Sequence, residues 1–181
     1  MRYRNAKKKV TFQLQFPVVM IEHWARRYVY PGEEEIETVV GPAARAQGFL
    51  TRNQFLRICE WKTQRSKSRC EKNTENDVRE VTRLALASES ERIKIGVLRL
   101  LHGVEWPTAS VILHFCDARP YPILDFRALW SLGIARPLIY TERFWQDYTA
   151  YVRQLSATTG HSMRTIDRAL WQYSKESQRG T

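Results

Sequence analysis

The stretch Leu100–Gly133, LLHGVEWPTASVILHFCDARPYPILDFRALWSLG, decides the fold. It leaves one helical pattern, crosses the turn His102-Gly103-Val104-Glu105-Trp106 and enters a second helix with Pro107 in its first turn, where a proline removes no needed hydrogen bond. Ala109, Ile112, Leu113 and Cys116 recur at helical spacing as an apolar stripe. Pro120-Tyr121-Pro122 is extended, because a residue before proline avoids the helical region. Asp125 then stands where a cap belongs, ahead of a helix from Phe126 to Leu132. A helix–turn–helix this tight offers backbone N–H groups that hold a phosphate without reading base sequence.

The same logic extends in both directions. Residues 10–16 alternate through Val10, Phe12, Leu14 and Phe16, as an extended arm or a single strand would. Pro17 opens a helix reaching about Tyr28, stopped by Pro31-Gly32, and residues 33–46 form a helix interrupted at Gly41-Pro42. Thr51 caps a helix to about Trp61, and Thr74 with Asp77 forms a capping box for a helix through Ala87. Ser88-Glu89-Ser90-Glu91 opens a helix whose Ile93, Val97, Leu100 and Leu101 make the apolar face. Thr141 caps a helix carrying Phe144, Tyr148, Val152 and Leu155; Gly160 ends it, and Ser162 caps a last helix with Met163, Ile166, Leu170 and Tyr173. The expected fold is all-α, a single domain of about nine or ten helices, with residues 1–16 as a basic N-terminal arm and 17–181 as the helical domain.

The 181 residues carry a net charge of +10, and two stretches hold all of it. Residues 1–9 contribute Arg2, Arg4, Lys7, Lys8 and Lys9; residues 52–72 contribute Arg52, Arg57, Lys62, Arg65, Lys67, Arg69 and Lys72 against Glu60 and Glu71. Excess charge concentrated in this way suits a polyanion, nucleic acid first among them, although a solvated basic face has the same composition. No uninterrupted apolar run is long enough for a membrane span. The basic start lacks an apolar h-region, and Cys59, Cys70 and Cys116 form neither a disulfide framework nor a zinc spacing. The expectation is an intracellular, cytoplasmic, nucleoid-associated monomer with no metal.

Leu101-His102-Gly103-Val104-Glu105-Trp106-Pro107-Thr108-Ala109-Ser110 resembles the hairpin of the helix-hairpin-helix (HhH-GPD) DNA glycosylase superfamily, whose pattern is roughly L-P-G-[VI]-G-x-x-T-A. In that superfamily an aspartate at a helix start follows the position before Thr-Ala by about 18 residues, and Asp125 stands at that distance from Pro107. The resemblance covers about 35 residues directly, with weaker helical correspondence over roughly 50–175. Three departures mark a divergent chain. Glu105 replaces the second hairpin glycine, Pro107 stands where bifunctional members carry a Schiff-base lysine, and the C-terminal iron–sulfur cysteines are absent.

The resemblance implies a two-lobed helical body, with the hairpin at about 100–110, that binds double-stranded DNA. It implies a monofunctional glycosylase that flips a damaged or modified base and hydrolyses its N-glycosidic bond. Asp125 would stabilise the cationic sugar. Spacing alone favours an Asp125 that only caps its helix, as most Asp at such positions do. Trp61, Lys62, Gln64, Glu105 and Trp106 are the candidates for the base pocket or the intercalating loop. Gly103, Val104, Thr108, Arg65, Lys67, Arg69 and Arg127 are the candidates for DNA contact. Trp61 also suits the core, and Trp106 also suits a hydrophobic staple. Arg164 and Arg168 either extend the DNA face or merely solvate one. His102 and His114 read as structural. No cofactor is expected, a monovalent cation at the hairpin being left open. A non-catalytic hairpin module that grips DNA within a repair or defence complex is the alternative.

Overall fold

The computed structural model describes residues 10–134 and 139–178; the basic run 1–9 lies outside them. Ten α-helices and no strand are found among the described residues. A 3₁₀ turn at Val18–Met20 leads into α1 (Ile21–Arg26). Glu33–Glu35, a π-helical turn at Ile36–Val40 and Gly41–Gln47 follow without a break as α2 (33–47). Then come α3 (Arg52–Lys62), α4 (Lys67–Cys70), α5 (Glu75–Ala87), α6 (Glu91–Leu98), α7 (Trp106–Cys116), α8 (Phe126–Trp130), α9 (Glu142–Thr159) and α10 (Met163–Ser177).

The caps act as the sequence expects. Thr51 accepts from the Gln54 N–H while Gln54 reaches back to the Thr51 N–H, and Thr74 and Asp77 do the same for α5. Ser90, Thr141 and Ser162 each accept from the third residue of their helices. Each such cap contributes about 1 kcal/mol. Gly160 ends α9 in the left-handed conformation.

The centre of the molecule is α7. Nearly every residue from Trp106 to Cys116 is buried, so its apolar stripe has become a full circumference. α2, α3 and α6 pack against it. Trp145 and Tyr148 of α9 are fully buried beside Tyr121, and the Trp145 and Tyr121 rings stack at 5.8 Å. α10 lies against α1, α8 and α9.

Three expectations need correction. The helix at 33–47 is not interrupted at Gly41-Pro42: the π turn at Ile36–Val40 widens the helix just ahead of Pro42, where a regular α-helix would set the ring against a carbonyl. On α6 the apolar face is misassigned. Ile93 and Leu100 are exposed, and the buried face is Lys94, Ile95, Leu98 and, beyond the helix end, Leu101. Lys94 goes inside because its ammonium donates to the Leu86 carbonyl at 2.9 Å and pairs with the buried Asp117 carboxylate. Of the two readings of residues 10–16, the strand is not formed; the segment is held against the body. The Gln13 and Gln15 N–H groups donate to the Leu132 and Ser131 carbonyls at 3.0 and 2.9 Å. Phe12 lies among Phe144, Tyr148 and Tyr151, and Phe16 lies on Tyr173.

The turn between α6 and α7 closes on α4. Gly103 has φ +80, and a Cβ there would lie 2.6 Å from the Cys70 sulfur and 2.9 Å from the Cys70 nitrogen. Asn73 clasps the turn from the other side, accepting from the His102 N–H at 2.8 Å and donating to its carbonyl at 2.9 Å. Gly103→Ala therefore meets both a left-handed backbone and a wall that cannot yield. We expect it to cost about 2 kcal/mol or more, read as a drop in the urea midpoint with an unchanged slope.

Candidate functional site

Lys62, the last residue of α3, and Asp125, the cap of α8, are 63 residues apart in sequence and meet at 2.8 Å, Nζ to Oδ2. The other carboxylate oxygen, Oδ1, accepts from the Arg127 N–H at 2.9 Å. Both side chains are largely but not wholly buried, 11% exposed for Lys62 and 17% for Asp125. Burial pushes the Asp125 carboxyl up. The charge and hydrogen bond of Lys62, the Arg127 N–H and the Arg127 guanidinium outweigh it, and the carboxyl sits below its ordinary range. Asp125 is thus a carboxylate at neutral pH, held against Lys62 Nζ.

Two cavities open on either side of this pair. The larger is a groove of about 490 Å³ whose lining includes Thr63, Arg65, Ser66 and Arg69 together with Gly103, Glu105, Pro107 and Thr108. Leu124, Asp125, Phe126 and Tyr140 complete it. The smaller, about 50 Å³, is walled by Tyr28, Tyr30, Trp61 and Trp171, with Lys62, Asp125, Asp167 and Ile123. Its rings meet edge to face: Tyr30 with Trp61 at 5.5 Å, Tyr30 with Trp171 at 5.5 Å and Tyr28 with Trp171 at 5.2 Å. The Trp61 indole N–H is buried with no hydrogen-bond partner among the described residues, an unusual state for a polar group in a packed interior.

The aromatic pocket rests on a buried ionic cluster. Arg164 of α10 pairs with Glu33 and Asp167, and Arg168 pairs with Glu33 and, at 2.7 Å, with Glu37. Burial raises the Asp167 carboxyl to about 6 although Arg164 opposes it. His114 lies beneath, with its Nδ1 2.6 Å from the Tyr121 carbonyl; burial first, then Arg164, pushes its pKa down to about 3. A neutral His114 suits a structural role.

The chain matches no family model, no curated protein and no solved structure. The site therefore stands on its own geometry.

Of the residues singled out from sequence, Asp125, Lys62, Arg65, Arg69, Gly103, Glu105 and Thr108 line the groove. Trp61 lies in the aromatic pocket, so neither a pure core position nor an exposed stacking platform describes it. Gln64 is exposed and borders a neighbouring depression, with Trp61 and Lys62, rather than the groove. Four assignments change. Trp106 is buried under the Arg99 guanidinium, 4.2 Å from its ring, and does not line the groove; it is the first residue of α7, behind the Glu105 cap, and so does not hold the staple position ahead of the cap either. The Val104 N–H is spent on the Leu101 carbonyl at 3.1 Å, so it does not offer the phosphate contact expected of it, whereas Gly103, held against Cys70, stays in the groove lining. Lys67 points away from the groove to Glu60 at 3.0 Å. Arg164 and Arg168 form no outer face but the cluster under the pocket.

Arg127 reaches back over Phe126 and Trp171, with its guanidinium carbon 5.1 and 5.4 Å from their centroids. Tyr28, Tyr30, Tyr140, Asp167 and Trp171 were not singled out. Their segments read as ordinary helix and turn, and nothing local marks them as convergent. Among the described residues no cluster of His, Cys, Asp or Glu suits a metal ion, and no helix is long and apolar enough to cross a membrane.

Proposed function

We propose that this chain binds duplex DNA along the groove and hydrolyses the N-glycosidic bond of a flipped base as a monofunctional glycosylase, with Asp125 stabilising the cationic sugar. The observation that carries the reading is the place of Asp125: an ionised carboxylate at the junction of a basic-walled groove and an aromatic-walled pocket. A backbone entering the groove would meet Arg65 and Arg69, and an extruded base would meet Trp61, Tyr30 and Trp171. Base flipping demands such a division, since the phosphates stay in a wet, positive channel while the base finds π-faces. The resemblance of the Leu101–Ser110 hairpin and of Asp125 to the glycosylase superfamily points to the same chemistry. The two-lobed architecture, the DNA partner and the nucleoid location belong to this proposal.

The test is single-turnover excision on duplexes carrying uracil, hypoxanthine, alkylated purines, oxidised guanine or mismatches. Breakage only after alkali supports the reading and names the base. Tight, salt-dependent binding with no excision of any base would replace it with the non-catalytic module, in which the Lys62–Asp125 pair and the α8 cap account fully for Asp125.

The two groove arginines give a separate check. Arg65 and Arg69 line the groove, whereas Lys67 shares its charge with Glu60. Arg69→Ala is expected to weaken binding to all duplex sequences alike and to flatten the log–log salt slope by about one unit, and Lys67→Ala to flatten it less. An unchanged slope in Arg69→Ala removes this wall from the interface.

A further inference from the structure

The central helix α7 runs between two cavities. Its first turn, at Pro107 and Thr108, lines the groove, and its last residue, Cys116, lines a separate cavity of about 500 Å³. The eight residues from Thr108 to Cys116, rising 1.5 Å each, set the two about 12 Å apart along the helix. The second cavity lies where the C-terminal ends of α2, α5 and α7 converge. Carbonyls at helix ends draw cations, and here they hold them in place. Arg45 donates to the Phe115 carbonyl, Lys94 to the Leu86 carbonyl at 2.9 Å, and Arg119 to the Glu89 and Ser88 carbonyls at 3.0 and 3.2 Å. A neutral carbonyl orients a guanidinium without cancelling its charge. Carboxylates do not cancel it either. The lining carries four cations, Arg45, Arg83, Lys94 and Arg119, against Glu89 and Asp117. Asp117 is committed to the buried Lys94, with Arg119 at 3.8 Å, and Glu89 is an exposed side chain also 3.8 Å from Arg119. Arg83 lies over the Phe49 ring, 5.2 Å from its centroid, and neither it nor Arg45 has a carboxylate partner among the described residues.

We propose that this cavity binds a small phosphate monoester, with its phosphate held by Arg45, Arg83 and Arg119. The site is separate from the groove and does not depend on the DNA reading. Four cations against two carboxylates leave an excess of two positive charges, and a phosphate monoester carries about −1.5 to −2 at pH 7. Guanidinium forks fit phosphate oxygens, and three guanidiniums suit the three terminal oxygens of a monoester. A backbone diester offers two such oxygens and a single charge, so a DNA strand is the poorer match. Arg45 and Arg119 are already anchored by carbonyls, so little side-chain freedom is lost when the phosphate arrives. The rest of the lining includes Ala44, Gln47, Gly48 and Ala118, which leave room for a sugar or polyol, and no aromatic ring lines the cavity for a base to stack on.

The experiment titrates the full chain calorimetrically with glycerol 3-phosphate, ribose 5-phosphate and glucose 6-phosphate, and with dimethyl phosphate and glucose as the diester and phosphate-free controls. The expected result is one-site binding of at least one monoester, at least about tenfold tighter than dimethyl phosphate, with no binding of glucose. Arg83→Gln is expected to weaken that binding by about tenfold, the worth of one charged hydrogen bond. Arg83 makes no hydrogen bond among the described residues and its side chain rests on Phe49, so the variant should keep the fold. Arg69→Ala, whose side chain lines the groove instead, should leave the affinity within about twofold. No binding of any monoester at millimolar concentration overturns the proposal. So does binding of glucose or dimethyl phosphate as tight as that of the monoesters. A loss in Arg69→Ala with Arg83→Gln unchanged moves the phosphate to the groove and overturns it as well, while leaving the glycosylase reading untouched.

Discussion

Asp125→Asn is expected to lower single-turnover excision by about 10³-fold while leaving duplex affinity within a few-fold. The substitution separates the two roles the residue combines. Asparagine caps helices about as well as aspartate, so the bond from the Arg127 N–H that starts α8 survives. What disappears is the negative charge that the proposed reaction places beside its cationic sugar. Lys62 loses its counterion, which is expected to reduce stability by about 1–3 kcal/mol, less than for a fully buried pair because both groups retain some solvent contact. Urea unfolding measures that loss independently of activity. Excision at the native rate in this variant would leave Asp125 as a cap and a counterion only.

The pH profile separates Asp125 from its neighbour. The Asp125 carboxyl lies below its ordinary range and stays ionised down to the acid limit of most assays, whereas Asp167, raised to about 6, titrates within the working range. An inflection in excision rate near pH 6 thus belongs to Asp167, and Asp167→Asn should remove it.

The helices and their caps were legible because they are local. Thr51-x-x-Gln54 and Thr74-x-x-Asp77 carry both halves of their hydrogen bonds within four residues, and Gly160 announces its left-handed turn alone. Asp125 was legible for the same reason, as a cap, with the resemblance suggesting more. Legibility failed wherever a long polar side chain turns inward. Lys94 counts as a surface residue by type, yet Asp117, 23 residues away, draws it into the core. Arg164 and Arg168 look like an outer stripe of α10 until Glu33, from the far end of the chain, is placed beneath them. The aromatic pocket suffers most, since Tyr28 and Tyr30, Trp61 and Trp171 come from three distant segments. The tertiary fold alone makes them one surface.

The ionic cluster yields the largest expected effect on stability. Arg164→Met keeps most of the side-chain volume and removes the cation shared by Glu33 and Asp167, whose side chains are 6% and 8% exposed. Two buried carboxylates are then left with Arg168, itself a third exposed and paired with Glu33, and with the charge of Lys62 acting on Asp167. Breaking a buried pair from one side costs about 3–5 kcal/mol, because the remaining charge has lost its partner but not regained water. A loss of that size is a large fraction of an ordinary domain's stability.

The pH dependence of the loss identifies its cause. In the native protein Asp167 is already raised to about 6 by burial, with Arg164 holding it down. Without Arg164 it rises further. A carboxyl whose folded pKa exceeds its unfolded value binds more protons in the folded state, so its folding free energy worsens as pH climbs through the folded pKa and recovers below it. The gap in unfolding free energy between the native chain and Arg164→Met should therefore be widest near pH 8 and narrow by pH 5. A gap constant across that range would mean that the variant loses packing under Tyr28 and Phe115, whose rings lie 5.3 and 5.4 Å from the guanidinium carbon, rather than charge compensation. Because the same cluster forms the floor beneath Tyr28 and Asp167, a charge-driven loss should also lower excision at pH 8 more than at pH 5, whereas a packing loss should lower both equally.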